Sequence, residues 1–70
     1  MNIGKAIREA RREHGWTQAE LEERTGVLKT TISALERNTS NTRLQTLFAL
    51  ADGLGVKASE LIRRAEQYDD

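Results

Sequence analysis

The tightest constraint in this 70-residue chain is a single glycine. Gly26 separates two helical patterns within TQAELEERTGVLKTTISALERN, residues 17–38, and the Gly26-Val27 connection leaves only about a three- to four-residue turn. Helices joined so briefly meet at a sharp corner, which Leu21, Val27 and Ile32 would pack. The second helix then turns its outer face away from the domain. That face is small and rich in hydroxyls: Lys29, Thr30, Thr31, Ser33 and Ala34.

Proline is absent, strand signals are few, and apolar residues recur at helical spacing along the chain. An all-α domain of five helices is expected over residues 1–70. Helix one spans about Ile3 to His14, with Ile3, Ile7 and Ala10 inward and Gly15 ending it. Thr17 followed by Glu20 forms a capping box, from which helix two runs to about Thr25. Helix three covers roughly Leu28 to Arg37, with Ile32 and Leu35 inward and Asn38 closing it in the left-handed conformation. Thr39, Ser40 and Asn41 form a loop. Thr42 caps helix four through Leu54, whose inward set is Leu44, Leu47, Phe48, Leu50 and Ala51. Helix five, about Ala58 to Gln67, carries Leu61, Ile62, Ala65 and then Tyr68. Trp16 is expected as a core plug between the first two helices, and His14 beside the dipole at a helix end.

A chain of this length buries only about 60% of the surface it exposes when unfolded, and without cysteine or a metal-ligand cluster it must rely on close helix packing or a second subunit. No apolar run approaches the ~20 residues of a membrane span, so a soluble, cytoplasmic protein with no membrane partner is expected. The single histidine, the lack of cysteine and the lack of a phosphate-cradling glycine loop argue against an enzyme and against a cofactor.

Net charge is zero, yet it is unevenly spread. Residues 1–14 carry four basic and two acidic groups, residues 15–26 one and three, and residues 27–43 three and one. A positive face would draw on the first and third of these segments, with the acids turned elsewhere. Such a face suits the small helix. The DNA major groove, ~12 Å wide, admits one helix, and short side chains let its backbone approach the bases.

These residues resemble the phage-repressor and Cro type of helix-turn-helix family, a compact five-helix, lambda-repressor-like domain. The matching frame is Ile3-Gly4-Lys5, Gly15-Trp16-Thr17-Gln18, Gly26-Val27, Thr31-Ile32-Ser33, Leu35-Glu36-Arg37 and Leu54-Gly55-Val56, covering about residues 3 to 62. Within it, Glu36 to Asn41 is similar to controller proteins of restriction–modification systems. Gly15 to Gln18 and Asn38 to Thr46 are similar to antitoxins of kinase-type toxins.

The resemblance implies roles residue by residue. Leu28, Lys29, Thr30, Thr31, Ser33 and Ala34 fall on the base-facing stretch, with Lys29 reading guanine and Thr30 a base edge or thymine methyl. Thr17, Gln18, Arg37, Asn38, Asn41 and Arg43 match phosphate-contacting positions, which orient the protein on the duplex without specifying sequence. Arg11 and Glu36 match an internal salt bridge. Leu61, Ile62, Ala65 and Tyr68 would form a homodimer contact on the C-terminal helix, residues 58–67. Departures from the pattern are Glu22 at a position that is usually small, and Leu28 and Lys57 where caps usually precede helices three and five.

The function implied is sequence-specific transcriptional regulation: a homodimer on double-stranded DNA with an inverted-repeat operator, controlling its own operon. The alternative is an antitoxin-type module that holds a toxin partner.

Overall fold

The computed structural model describes residues 1–38 and 41–68, and among them every regular element is a helix. In order these are α1 (Ile3–Glu13), α2 (Gln18–Thr25), α3 (Lys29–Glu36), α4 (Leu44–Leu54) and α5 (Ala58–Glu66). The expected loop positions Thr39 and Ser40 lie outside the described residues.

Local chemistry accounts for most of the helix ends. The capping box forms as expected: the Glu20 amide donates to Thr17 Oγ1 at 3.1 Å and the Thr17 amide to Glu20 Oε1 at 2.9 Å. Gly26 ends α2 at φ 77°, a backbone region that costs a residue with a Cβ ~1–2 kcal/mol. Asn38 takes the same region at φ 58°. Helix α1 starts at Ile3, as expected, with a cap that was not anticipated. Asn2 is its N-cap, its side chain accepting from the Lys5 amide at 3.0 Å, and the Asn2 amide donates to the Ala65 carbonyl, so the chain's first residues are tied to its last helix.

Three helices start without a side-chain cap, at Leu28, Arg43 and Lys57. This agrees with expectation for Leu28 and Lys57 and corrects it for α4. Arg43, not Thr42, precedes α4, and the Thr42 hydroxyl donates to the Arg43 carbonyl instead of accepting a helix amide.

The core is built from Ala6, Ile7 and Ala10 of α1, Leu21 of α2, Ile32 and Leu35 of α3, Leu47, Leu50, Ala51 and Leu54 of α4, and Leu61 and Ala65 of α5. Helix α1 packs against α5 and α3, while α2 packs against α4 and α3. The α1–α3 contact is close because residue 4 is glycine: a Cβ there would overlap the Leu35 carbonyl oxygen.

Leu44 and Phe48 do not join this core; they are 66% and 55% exposed. Helical residues advance about 100° each, so the stripe of Leu47, Leu50, Ala51 and Leu54 leaves Phe48 well to one side, with Leu44 on the same outer edge. Trp16, in the connection between α1 and α2, does pack against the core as expected, though it is not fully enclosed. It is half-buried, stacked on the His14 ring with centroids 4.1 Å apart, and the Arg24 guanidinium lies 4.3 Å from its centroid. His14 does more than meet a dipole: its Nε2 lies 2.7 Å from the Leu54 carbonyl, which can only accept, so Nε2 carries a proton and joins the end of α1 to the end of α4.

Candidate nucleic-acid interface

The turn at Gly26 sets α3 across α2, with Ile32 and Leu35 facing inward at 0% and 1% exposure. The opposite side of α3 is therefore open. Lys29 and Thr30 are exposed, Thr31, Ser33 and Ala34 are half-buried, and Leu28 at the helix entry is exposed.

Two hollows flank this ridge and take in most of the expected site residues, though not Thr17, Leu28, Ala34 or Asn38. Gln18, Lys29, Thr30, Ser33 and Arg37 line one. Thr31, Leu35, Asn41, Thr42, Arg43 and Thr46 line the other. The first brings the start of α2 beside the outer face of α3, and the second brings the segment entering α4 to its far side. Thr42 and Thr46 were not among the expected residues; their spacing around Arg43 is the signal that could have found them.

Several of these side chains already have partners. Arg37 Nη1 donates to Ser33 Oγ at 2.7 Å, along the exposed side of α3. The Thr17 hydroxyl is the acceptor of the capping box. Asn38 is exposed, its amide donating to the Leu35 carbonyl. Gln18 Nε2 donates to Glu36 Oε1 at 3.1 Å, so this glutamine braces the end of α3 from the start of α2.

The same carboxylate anchors α1. Arg11 Nε and Nη2 each donate to Glu36 at 2.8 Å, and Nη1 donates to the Trp16 carbonyl at 2.8 Å. The two side chains are 11% and 5% exposed, which makes this a largely desolvated pair. Burial pushes the Glu36 carboxyl up, but the hydrogen bonds from Arg11 and Gln18 outweigh it, and its pKa lies below the ordinary carboxylate value. The hydrogen bond to Glu36 likewise raises Arg11. Three helices thus meet at one carboxylate, and the angle of α3 is fixed there.

The expected subunit-contact residues are split. Leu61 and Ala65 are fully buried in the core, while Ile62 is 36% exposed. Tyr68 is half-buried, its hydroxyl donating to Glu9 Oε2 at 2.6 Å. Beside Ile62 stand the exposed Leu44 and Phe48, which together with Ala51, Val56 and Ala58 border an apolar groove between α4 and α5.

Among the described residues no cluster of His, Cys, Asp or Glu could hold a metal ion, and no helix is long and apolar enough to cross a membrane.

The sequence profile of the family described as "Helix-turn-helix" matches residues 7–61. A relative from Sinorhizobium fredii, the HTH-type transcriptional regulator y4dJ, is 38% identical over 65 residues, covering 93% of this chain and 84% of its own. The antitoxin HipB of Escherichia coli K12 is 38% identical over 52 residues, covering 74% of this chain and 59% of its own. Among solved structures, the biofilm regulator SinR in complex with DNA superposes with a TM-score of 0.82 at 36% identity, covering 86% of this chain and 97% of the other. A restriction–modification controller protein superposes at 0.84 with 27% identity, covering 94% and 84%. These are regulators and an antitoxin, not enzymes.

Proposed function

The chain belongs to the helix-turn-helix family of transcriptional regulators, and on that premise we propose that it binds double-stranded DNA sequence-specifically as a homodimer, with α3 in the major groove of each half of an inverted repeat. The observation that carries this reading is the open, small-residue face of α3, held at a fixed angle by the carboxylate that Arg11 and Gln18 share.

In this account Lys29 and Thr30, exposed and first to arrive, read base edges. Thr31, Ser33 and Ala34 keep the helix slim, and Leu28 packs on the neighbouring base or sugar. Gln18 and Arg37 border one side of α3 and Asn41 and Arg43 the other, and these, with Thr17 and Asn38, would meet the phosphates of the two strands. Gln18 retains a second amide hydrogen for a phosphate while its first holds Glu36. Arg37 likewise keeps donors for a phosphate while Nη1 holds Ser33 Oγ.

We assign the second copy to the apolar edge formed by Leu44, Phe48 and Ile62. A cluster of large apolar side chains outside the core is the kind of surface that marks association. Binding across a promoter would exclude polymerase, and control of its own operon follows if the operator lies upstream of its gene. Footprinting on that upstream DNA tests the reading; protection of an inverted repeat supports it, and uniform binding at moderate salt defeats it.

A second reading has a specific observation behind it, the likeness to the antitoxin HipB. In that reading the same apolar edge holds a toxin, and autoregulation accompanies it. Recovery of a stoichiometric partner from the native host distinguishes the two.

A further inference from the structure

We infer that α1 supplies a second anion site, for a phosphodiester of the DNA backbone, made by Arg8 and Arg12 beyond the helix-turn-helix itself. The inference rests on the DNA reading above.

Arg8, Arg11 and Arg12 of α1 border one hollow together with Gln18, Glu36 and Arg37. Four guanidinium groups therefore face a single carboxylate. That carboxylate is already committed, since Arg11 occupies both of its oxygens and Gln18 adds a third bond. Arg8 and Arg12 are exposed and, among the described residues, take part in no ion pair. One helical turn apart, they share a face of α1.

The nearest acids of α1 take their hydrogen bonds from other side chains. Glu9 and Glu13, the two carboxylates of α1, also border the groove that Arg8 and Arg12 edge beside Tyr68. Arg64 of α5 binds Glu9 at 3.1 Å and Glu13 at 3.0 Å, and the Tyr68 hydroxyl donates to Glu9. Glu9 and Glu13 thus turn to the last helix, where they share Arg64 with Glu60, and do not pair with Arg8 or Arg12.

The position of the ridge selects its ligand. The hollow below it shares Gln18 and Arg37 with the one that runs along Lys29, Thr30 and Ser33, so the two form one continuous track. A strand lying against α3 passes the start of α2, whose dipole favours an anion, and reaches Arg8 and Arg12 next. Free guanidinium forks suit phosphate oxygens, which they bind in pairs.

The test is the salt dependence of DNA affinity, measured by fluorescence anisotropy on a duplex that the wild-type chain selects from a random pool. Each neutralised phosphate contributes about 0.9 to the slope of log affinity against log salt concentration. Because both protomers of the dimer carry the change, the Arg8→Gln/Arg12→Gln variant should lose roughly 3.6 of that slope and keep the same selected sequence, and Arg8→Lys/Arg12→Lys should restore most of it. A double variant that keeps the wild-type slope, or a lysine pair that restores none of it, overturns the α1 site while leaving the DNA reading intact. A wild-type chain that binds no duplex at low salt ends both.

Discussion

Arg11 grips Glu36 with two bonds, Nε to Oε2 and Nη2 to Oε1, each 2.8 Å, across a sequence separation of 25 residues. Removing one partner from a largely buried pair strands the other charge, which costs ~3–5 kcal/mol. Arg11→Met is expected to lower stability by about 3 kcal/mol, whereas Arg11→Met with Glu36→Met recovers most of the loss because no isolated carboxylate remains. Urea denaturation of the two variants checks this.

The same bridge sets the response to acid. Glu36 has a folded-state pKa below its ordinary value of 4.5, so its contribution is complete above that value and is lost as pH falls through the lower one. Glu20, held down by its bonds with Thr17, acts in the same direction. Stability of the wild type should fall as pH drops below 4.5, and Glu36→Gln should flatten that fall. Unfolding midpoints across the range measure it; parallel curves would exclude Glu36 as a source.

Gly4 offers a test in which the usual sign reverses. Alanine in place of glycine inside a helix ordinarily stabilises by ~0.5–1 kcal/mol. Here the added carbon meets the Leu35 carbonyl oxygen, with Glu36 Cα at 3.2 Å, and both are backbone atoms that cannot rotate away. Gly4→Ala is expected to destabilise by about 3 kcal/mol, at the upper end for overpacking, and to weaken DNA binding by pushing α3 from α1. A thermal melt above that of wild type would contradict the close packing.

For the apolar edge, the prediction separates association from folding. Phe48→Lys and Ile62→Lys alter side chains outside the core, so each should change monomer stability by no more than about 0.5 kcal/mol while abolishing the dimer in sedimentation velocity. Dimers that survive both changes would place the contact elsewhere.

What the sequence makes legible here is mostly local. Thr17 with Glu20, and the glycines at 15, 26 and 55, act on backbone atoms a few residues away, and the helix ends they imply agree with the structure to within about two residues. The orientation of α4 is not local. Leu44, Leu47, Phe48, Leu50 and Ala51 wrap too far around the helix for all to be inward, and packing against α2 and α5 decides which edge is left out. The stripe on α5 divides for the same reason: Leu61 and Ala65 are inside, and Ile62 is not. The bond from His14 to Leu54 spans 40 residues and leaves no periodic trace. The Arg11–Glu36 pair came into view only through the family resemblance. Arg8 and Arg12 showed only as a local excess of basic residues, because their importance depends on where Glu9 and Glu13 turn.

The central claim is that the exposed face of α3 reads bases, and parallel selections from a random DNA pool with the wild type and Lys29→Gln test it most directly. The account predicts that the wild type recovers an inverted repeat whose half-sites lie about 34–36 Å apart. It predicts that Lys29→Gln recovers the same repeat with one guanine in each half-site relaxed by ~1–3 kcal/mol. A wild type that enriches no sequence, or a variant that enriches the identical sequence with equal strength, would contradict it.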